Sequence, residues 1–303
     1  MNDAIIDTHL HLWDPTRFRI PWLDGNDLLN RVYDLRVFQE HTAGLNITAM
    51  VYVQVDVAPA YALLEARHIA QIAADEPRLQ GIVAWAPLDD GPCARSFLDA
   101  LVEISPLIKG VRRILQGEPD PAHCLCPSFV HGVEMLAEYG LSFDICIYHY
   151  QLPAAIELVR TCPDVSFVLD HLAKPDIRSG TLDPWRSHME MLARLPNVVC
   201  KISGVATEAD HECWTVDHLA PYIRHALDVF GEDRVLFGGD WPVALLATSY
   251  RRWVETLATL TADLSPQAQR KLWVENARRI YRLSGVSQFG GIGFRGDAGK
   301  IRE

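Results

Sequence analysis

The segment Ile5-Ile6-Asp7-Thr8-His9-Leu10-His11 ends a β-branched run in two histidines one residue apart. Successive side chains of a strand alternate faces, so His9 and His11 would project the same way. Two converging imidazoles can hold one metal ion or polarise one oxygen. Similar junctions recur downstream. KGVRRIL carries Arg112 and Arg113, FDICIYHYQ ends in His149, and VSFVLDHLAKP carries Asp170, His171 and Lys174. NVVCKISG carries Lys201 and Ser203, and RVLFGGDWPV ends in Asp240. Arg112 and Arg113 are adjacent, so one of the two faces inward whichever way the strand is set. A buried carboxylate after VLFGG is costly unless partners meet it; a helix N-cap is the structural alternative for Asp240. The other eight histidines fall in helical or loop sequence, where exposure accounts for them. His211, His218 and His225 recur as one exposed helix face would.

The runs that carry these residues read as eight strands, near Ala4–Thr8, Ala49–Val55, Gly81–Trp85, Ile108–Ile114, Ser142–Tyr148, Ser166–Asp170, Val198–Ile202 and Val235–Gly239. Several, such as AMVYVQV, are continuously apolar, as strands covered on both faces are. Helical patterns such as ALLEARHIAQIAA and SYRRWVETLATL lie between them. The alternation predicts an α/β fold, a single-domain (β/α)8 barrel over residues 1–283, with a doubly wound open sheet as the alternative. In such a barrel, chemistry sits where strands end, because the βα loops build the active face. An irregular glycine-rich tail, 284–303, would follow. Its Gly291, Gly293 and Gly296 satisfy G-x-G-x-x-G, but no strand leads in, so nucleotide binding is not expected there.

Bulk properties narrow the partners. The 303 residues hold 39 acidic and 28 basic side chains, a formal charge of −11, which argues against nucleic acid or an anionic membrane. The absence of a long apolar run argues against a membrane span, and the N-terminus lacks a signal-like apolar stretch. Seven scattered cysteines read as free thiols, and the expected location is the cytoplasm, with a homo-oligomer left open.

Taken together, IDTHLHLWDP, YHYQLP, DHLAKP, KISG and LFGGDWPV resemble the amidohydrolase superfamily, in its branch of sugar and pyrone lactonases, from Asp7 to about Leu283. The resemblance implies a barrel with functional residues at His9, His11, His149, His171 and Asp240. Two-metal members carry a bridging lysine, glutamate or cysteine on strand 4, where this chain has Arg112-Arg113. That departure implies one ion or none. The lactonase branch implies no required cofactor, although His9, His11 and Asp240 suit one zinc.

The expected chemistry is opening of a small-molecule sugar lactone, such as L-fucono- or L-rhamnonolactone. Asp240 would take a proton from water, and His9, His11, His171 and Arg113 would hold the oxyanion. Arg112, His149, Lys174, Trp13, Trp22, Tyr150, Gln151 and Trp241 would contact the substrate. A 2-pyrone-4,6-dicarboxylate-type lactone and a mononuclear zinc decarboxylase are the alternatives. A non-catalytic sugar-binding barrel is a third.

Overall fold

The computed structural model describes residues 4–284. Eight parallel strands follow one another in sequence order: β1 Ile5–Leu10, β2 Ile47–Val53, β3 Leu79–Ala84, β4 Ile108–Val111, β5 Ser142–Ile145, β6 Phe167–Leu169, β7 Val198–Ile202 and β8 Val235–Phe237. Pairing of β1 with β8 nearly closes the barrel. His11 N–H donates to Trp241 O (2.8 Å), and Asp240 N–H donates to His9 O (2.8 Å). The open-sheet alternative is thereby set aside. Helices follow the strands: α1 Leu35–His41, α2 Ala62–Asp75, α3 Arg95–Val102, α4 Pro127–Met135, α5 Leu152–Thr161, α6 Trp185–Ala193, α7 Val216–Phe230 and α8 Tyr250–Leu260. Among the described residues no helix is long and apolar enough to cross a membrane, and all seven cysteines are free thiols.

Alternation sorts the strand residues. Ala49, Val51, Val53, Val83, Val168, Val199 and Leu236 form one buried cluster inside the barrel, together with Ile6. Their neighbours Met50, Tyr52, Ile82, Phe167 and Cys200 pack outward under the helices. The final helical turns, Asn276–Tyr281, push Tyr281 into the same interior cluster and so plug its base. Residues 285–303 of the expected glycine-rich tail lie outside the described residues.

Strands β4, β5 and β8 stop sooner than their apolar sequence suggests, at Val111, Ile145 and Phe237. Chain that stays apolar beyond those points lifts into loops over the site. β1 runs longer, to Leu10, and its pairing with β2 shifts register between Asp7 and Leu10. Strict alternation from the inward Ile6 would turn His9 outward; the irregularity resets the phase and brings His9 into the lumen.

Candidate active site

Above the apolar layer, the same inward positions carry charge. Lys201 on β7 lies 2.8 Å from Asp144 Oδ2 on β5 and 2.9 Å from Asp170 Oδ1 after β6. Tyr281 Oη donates to Asp144 from below (2.7 Å). Arg112 Nη1 stands 3.3 Å from Asp170 Oδ2, and Nη2 donates to Gln54 O (2.6 Å). All four charged groups are buried. Two carboxylates and two cations therefore cancel inside the barrel, which is the condition for burying charge at all. Burial would raise the Asp170 carboxyl, but Lys201, then His9, then Arg112 hold it well below its ordinary value.

His9 sits on top of this layer. Arg112 Nη1 lies 3.1 Å from its Nε2, while its Nδ1 lies 3.3 Å from both Asp170 Oδ1 and Lys201 Nζ. Burial pushes His9 well below the ordinary histidine value, so it is neutral near pH 7. His11 Nδ1–H donates to Val53 O (2.7 Å), which leaves a lone pair on Nε2. That Nε2 points at Asp240 Oδ1, 3.5 Å away. His9 Nε2 and His171 Nε2 reach the same oxygen at 3.7 and 3.9 Å.

His171 arrives by an unusual backbone. His171, Leu172, Ala173 and Lys174 all have positive φ, 52°, 54°, 58° and 47°, forming a left-handed turn without glycine. Such geometry costs roughly 1–2 kcal/mol per residue and persists only where surroundings enforce it. Leu172 and Ala173 are fully buried, and Trp185 Nε1–H holds Leu172 O at 2.8 Å. The turn aims His171 at Asp240, itself left-handed at φ 53°, and brings Lys174 to the cavity. Gly204 makes room: a Cβ there would lie 2.5 Å from His171 Nδ1 and 2.8 Å from Asp240 Oδ2. Burial presses His171 down to about 4, so it too is neutral at pH 7. Burial alone would raise Asp240, but His171 foremost, with His11 and His9 beside it, holds it below the carboxylate range.

A cavity of ≈ 190 Å³ opens above this cluster. His11, His171, Asp240, Arg112, Lys174 and Trp22 line it, and so do Asp56, Gln116 and Cys146. Several expected contacts lie elsewhere. Arg113 turns to the other side of its strand, where Asp89 (2.8 Å) and Glu118 (2.5 Å) hold it, so Arg112 is the inward arginine. Trp241 is buried among Tyr33, Phe38 and His41. Trp13 is buried with its indole N–H on Leu29 O and Arg31 O. Gln151 is consumed by backbone: its amide donates to Leu115 O (2.8 Å) and accepts from Tyr148 N–H (2.9 Å). Tyr150 stacks on Tyr148 at the surface, 51% exposed, and does not line the cavity. His149 donates from Nδ1 to Lys174 O (3.0 Å), bracing the left-handed turn from outside the cavity lining.

Sequence reasoning gave no role to Asp7, Gln54, Asp56, Asp144 or Lys201. The signal for Asp144 and Lys201 was present: a charge at an inward phase of an apolar strand, in FDICIY and VVCKI. Asp7 points outward and pins β8, accepting from Gly239 N–H (2.7 Å) and Tyr250 Oη (2.9 Å).

One ligand atom each from His9, His11 and Asp240 all lie within 4.8 Å of one another, and a second such group is His9, Asp170 and His171. The first fits a divalent ion by its donor types, two imidazoles and a carboxylate, which suit zinc, although His9 Nε2 also accepts from Arg112 Nη1 (3.1 Å). The second does not, because Lys201 and Arg112 already neutralise Asp170 and would repel an added ion.

Residues 6–283 match the family model described as Amidohydrolase. An L-fucono-1,5-lactonase of Burkholderia multivorans is 31% identical over 299 residues, covering 92% of this chain and 96% of that protein. An L-rhamnono-gamma-lactonase of Scheffersomyces stipitis is 22% identical over 332 residues, covering 92% of this chain and 98% of that one. A crystal structure of an amidohydrolase from Burkholderia multivorans with bound zinc superimposes with a TM-score of 0.84 at 30% identity, covering 93% of this chain and all of that chain (100%).

Proposed function

Because the chain belongs to the amidohydrolase family, we propose that it hydrolyses a neutral six-carbon aldonolactone, with Asp240 activating the attacking water. The observation that carries this reading is the Asp240 carboxylate itself, ringed by three imidazoles at 3.5–3.9 Å in the wall of a cavity of ≈ 190 Å³. The lactonases among its relatives support the substrate class.

Asp240 accepts a proton from water as the oxygen attacks the lactone carbonyl. A carboxylate held this low is a weak base, which suffices because a strained ester is far more electrophilic than an amide. Negative charge then grows on the carbonyl oxygen. Arg112 lines the cavity and presents a fixed positive charge to meet it. Gln54, Asp170 and His9 fix the guanidinium in advance, so no reorganisation is needed as the charge develops. The C–O bond to the ring oxygen breaks, and protonated Asp240 returns its proton there, giving the hydroxy acid. His9, His11 and His171 surround Asp240 and hold it in place.

A divalent ion held by His9, His11 and Asp240 would polarise the carbonyl or lower the pKa of a bound water. We propose that lactone opening does not depend on it, since Arg112 already presents a fixed cation. A dicarboxylate lactone fits less well. Both cations of the cavity wall are engaged, Arg112 with Asp170 at 3.3 Å and Lys174 with Glu208 at 3.7 Å.

The test is a panel of aldonolactones, pyrone dicarboxylates and aromatic acids followed with a pH indicator, with and without exhaustive chelation. Acid release from neutral aldonolactones, little altered by chelator, is the expected result. An apoenzyme that is dead and revived by stoichiometric zinc would promote the mononuclear hydrolase or decarboxylase instead.

A further inference from the structure

Asp56 stands just past the end of β2, half-buried in the cavity wall, with its backbone left-handed at φ 55°. Its neighbours are clamped. Gln54 Nε2 donates to Arg112 O (3.2 Å), while Arg112 Nη2 donates back to Gln54 O (2.6 Å). Gln54 Oε1 accepts the Asp56 N–H, and Trp22 Nε1–H donates to Val55 O (2.7 Å). The backbone leading into the carboxylate is therefore fixed from Gln54 to the Asp56 N–H.

The carboxylate itself is not used. Among the described residues it has neither a hydrogen-bond donor nor an ion-pair partner, whereas Glu208 at the same mouth has Lys174. Burial raises its carboxyl above the ordinary value, and only the more distant charges of Arg112 and Arg113 oppose this. A rigidly held, acceptor-only group beside an indole is short of one thing, O–H donors. A polyhydroxylated ring supplies them, and its C–H face suits Trp22, which lines the same cavity.

We propose that Asp56 is the specificity-determining residue of this site, accepting hydrogen bonds from two hydroxyls of a neutral sugar ring and excluding substrates that carry a carboxylate there. The assignment rests on the lactonase reading for its reaction, though not for its binding chemistry. Charged acceptors recognise hydroxyls strongly and repel anions, so one residue does both.

Asp56→Asn tests it, because asparagine keeps the volume and tolerates left-handed backbone while removing the charge. For a fully hydroxylated aldonolactone, KM should rise about tenfold, the weight of one charged hydrogen bond, with kcat near wild type. For the deoxy lactone lacking those hydroxyls, wild type and variant should share one KM, as a double-mutant cycle requires. Calorimetry with the corresponding lactam, which is not opened, should show the same tenfold loss without any turnover. Unchanged KM and lactam affinity in Asp56→Asn would overturn the role of Asp56 while leaving lactone hydrolysis standing. Lactam binding that depends on Asp56, in a wild type that opens no lactone, would sustain Asp56 and remove the lactonase reading.

Discussion

Asp144 and Asp240 are both buried aspartates of the barrel interior, and they live under opposite conditions. Asp144, near the floor, takes Lys201 at 2.8 Å, Tyr281 at 2.7 Å and Ser142 at 3.2 Å. Asp240, at the mouth, faces three imidazoles at 3.5–3.9 Å and the cavity. The floor is satisfied and the mouth is not. A fully partnered buried charge fixes the fold, since its alternatives are expensive; an under-partnered one keeps affinity for an ion, a water or a substrate. Arg112 lies between the two zones, its terminal nitrogens held by Gln54, Asp170 and His9 while the residue also lines the cavity.

Lys201→Met attacks the floor and should give the largest effect. It leaves Asp144 and Asp170 without their shared cation, and breaking such a buried pair costs about 3–5 kcal/mol. Chemical denaturation should show a large share of the stability gone, because whole domains hold only ~5–15 kcal/mol. A near-wild-type midpoint would mean that the lumen tolerates uncompensated charge, and the contrast between floor and mouth would dissolve.

The two arginines sharpen the comparison at the level of adjacent residues. Arg112→Met removes a donor that acts on transition-state charge, so kcat should fall ~10²–10³-fold with KM nearly unchanged. A large rise in KM with kcat preserved would point to a substrate carboxylate instead. Arg113→Met should leave both constants alone and cost at most about 1 kcal/mol of stability, since its ion pairs with Asp89 and Glu118 lie nearer the surface.

That pair also marks where the sequence stops being readable. Adjacent arginines on a strand must face opposite ways, but the phase follows from Val111 packing outward, and KGVRRIL contains no sign of it. The strands and their order were legible because buried parallel strands are continuously apolar. The cluster of His9, His11, His171 and Asp240 was legible because polar residues at strand ends have no packing purpose. Its exact aim was not: the register shift in β1 and the left-handed turn at His171–Lys174 are imposed by tertiary contacts. Aromatic residues misled for the converse reason. Trp13 and Trp241 neighbour His11 and Asp240 in sequence, yet their large apolar surfaces serve the core.

The central claim is that Asp240 is the proton acceptor, and Asp240→Asn in chelator-treated enzyme tests it most directly. Asparagine accommodates the left-handed backbone at this position and preserves shape while removing basicity. Thermal melting first establishes that the variant is folded; aldonolactone turnover is then compared with wild type. The account predicts a loss in kcat of ~10³-fold or more. A folded variant retaining a tenth of wild-type turnover would contradict it.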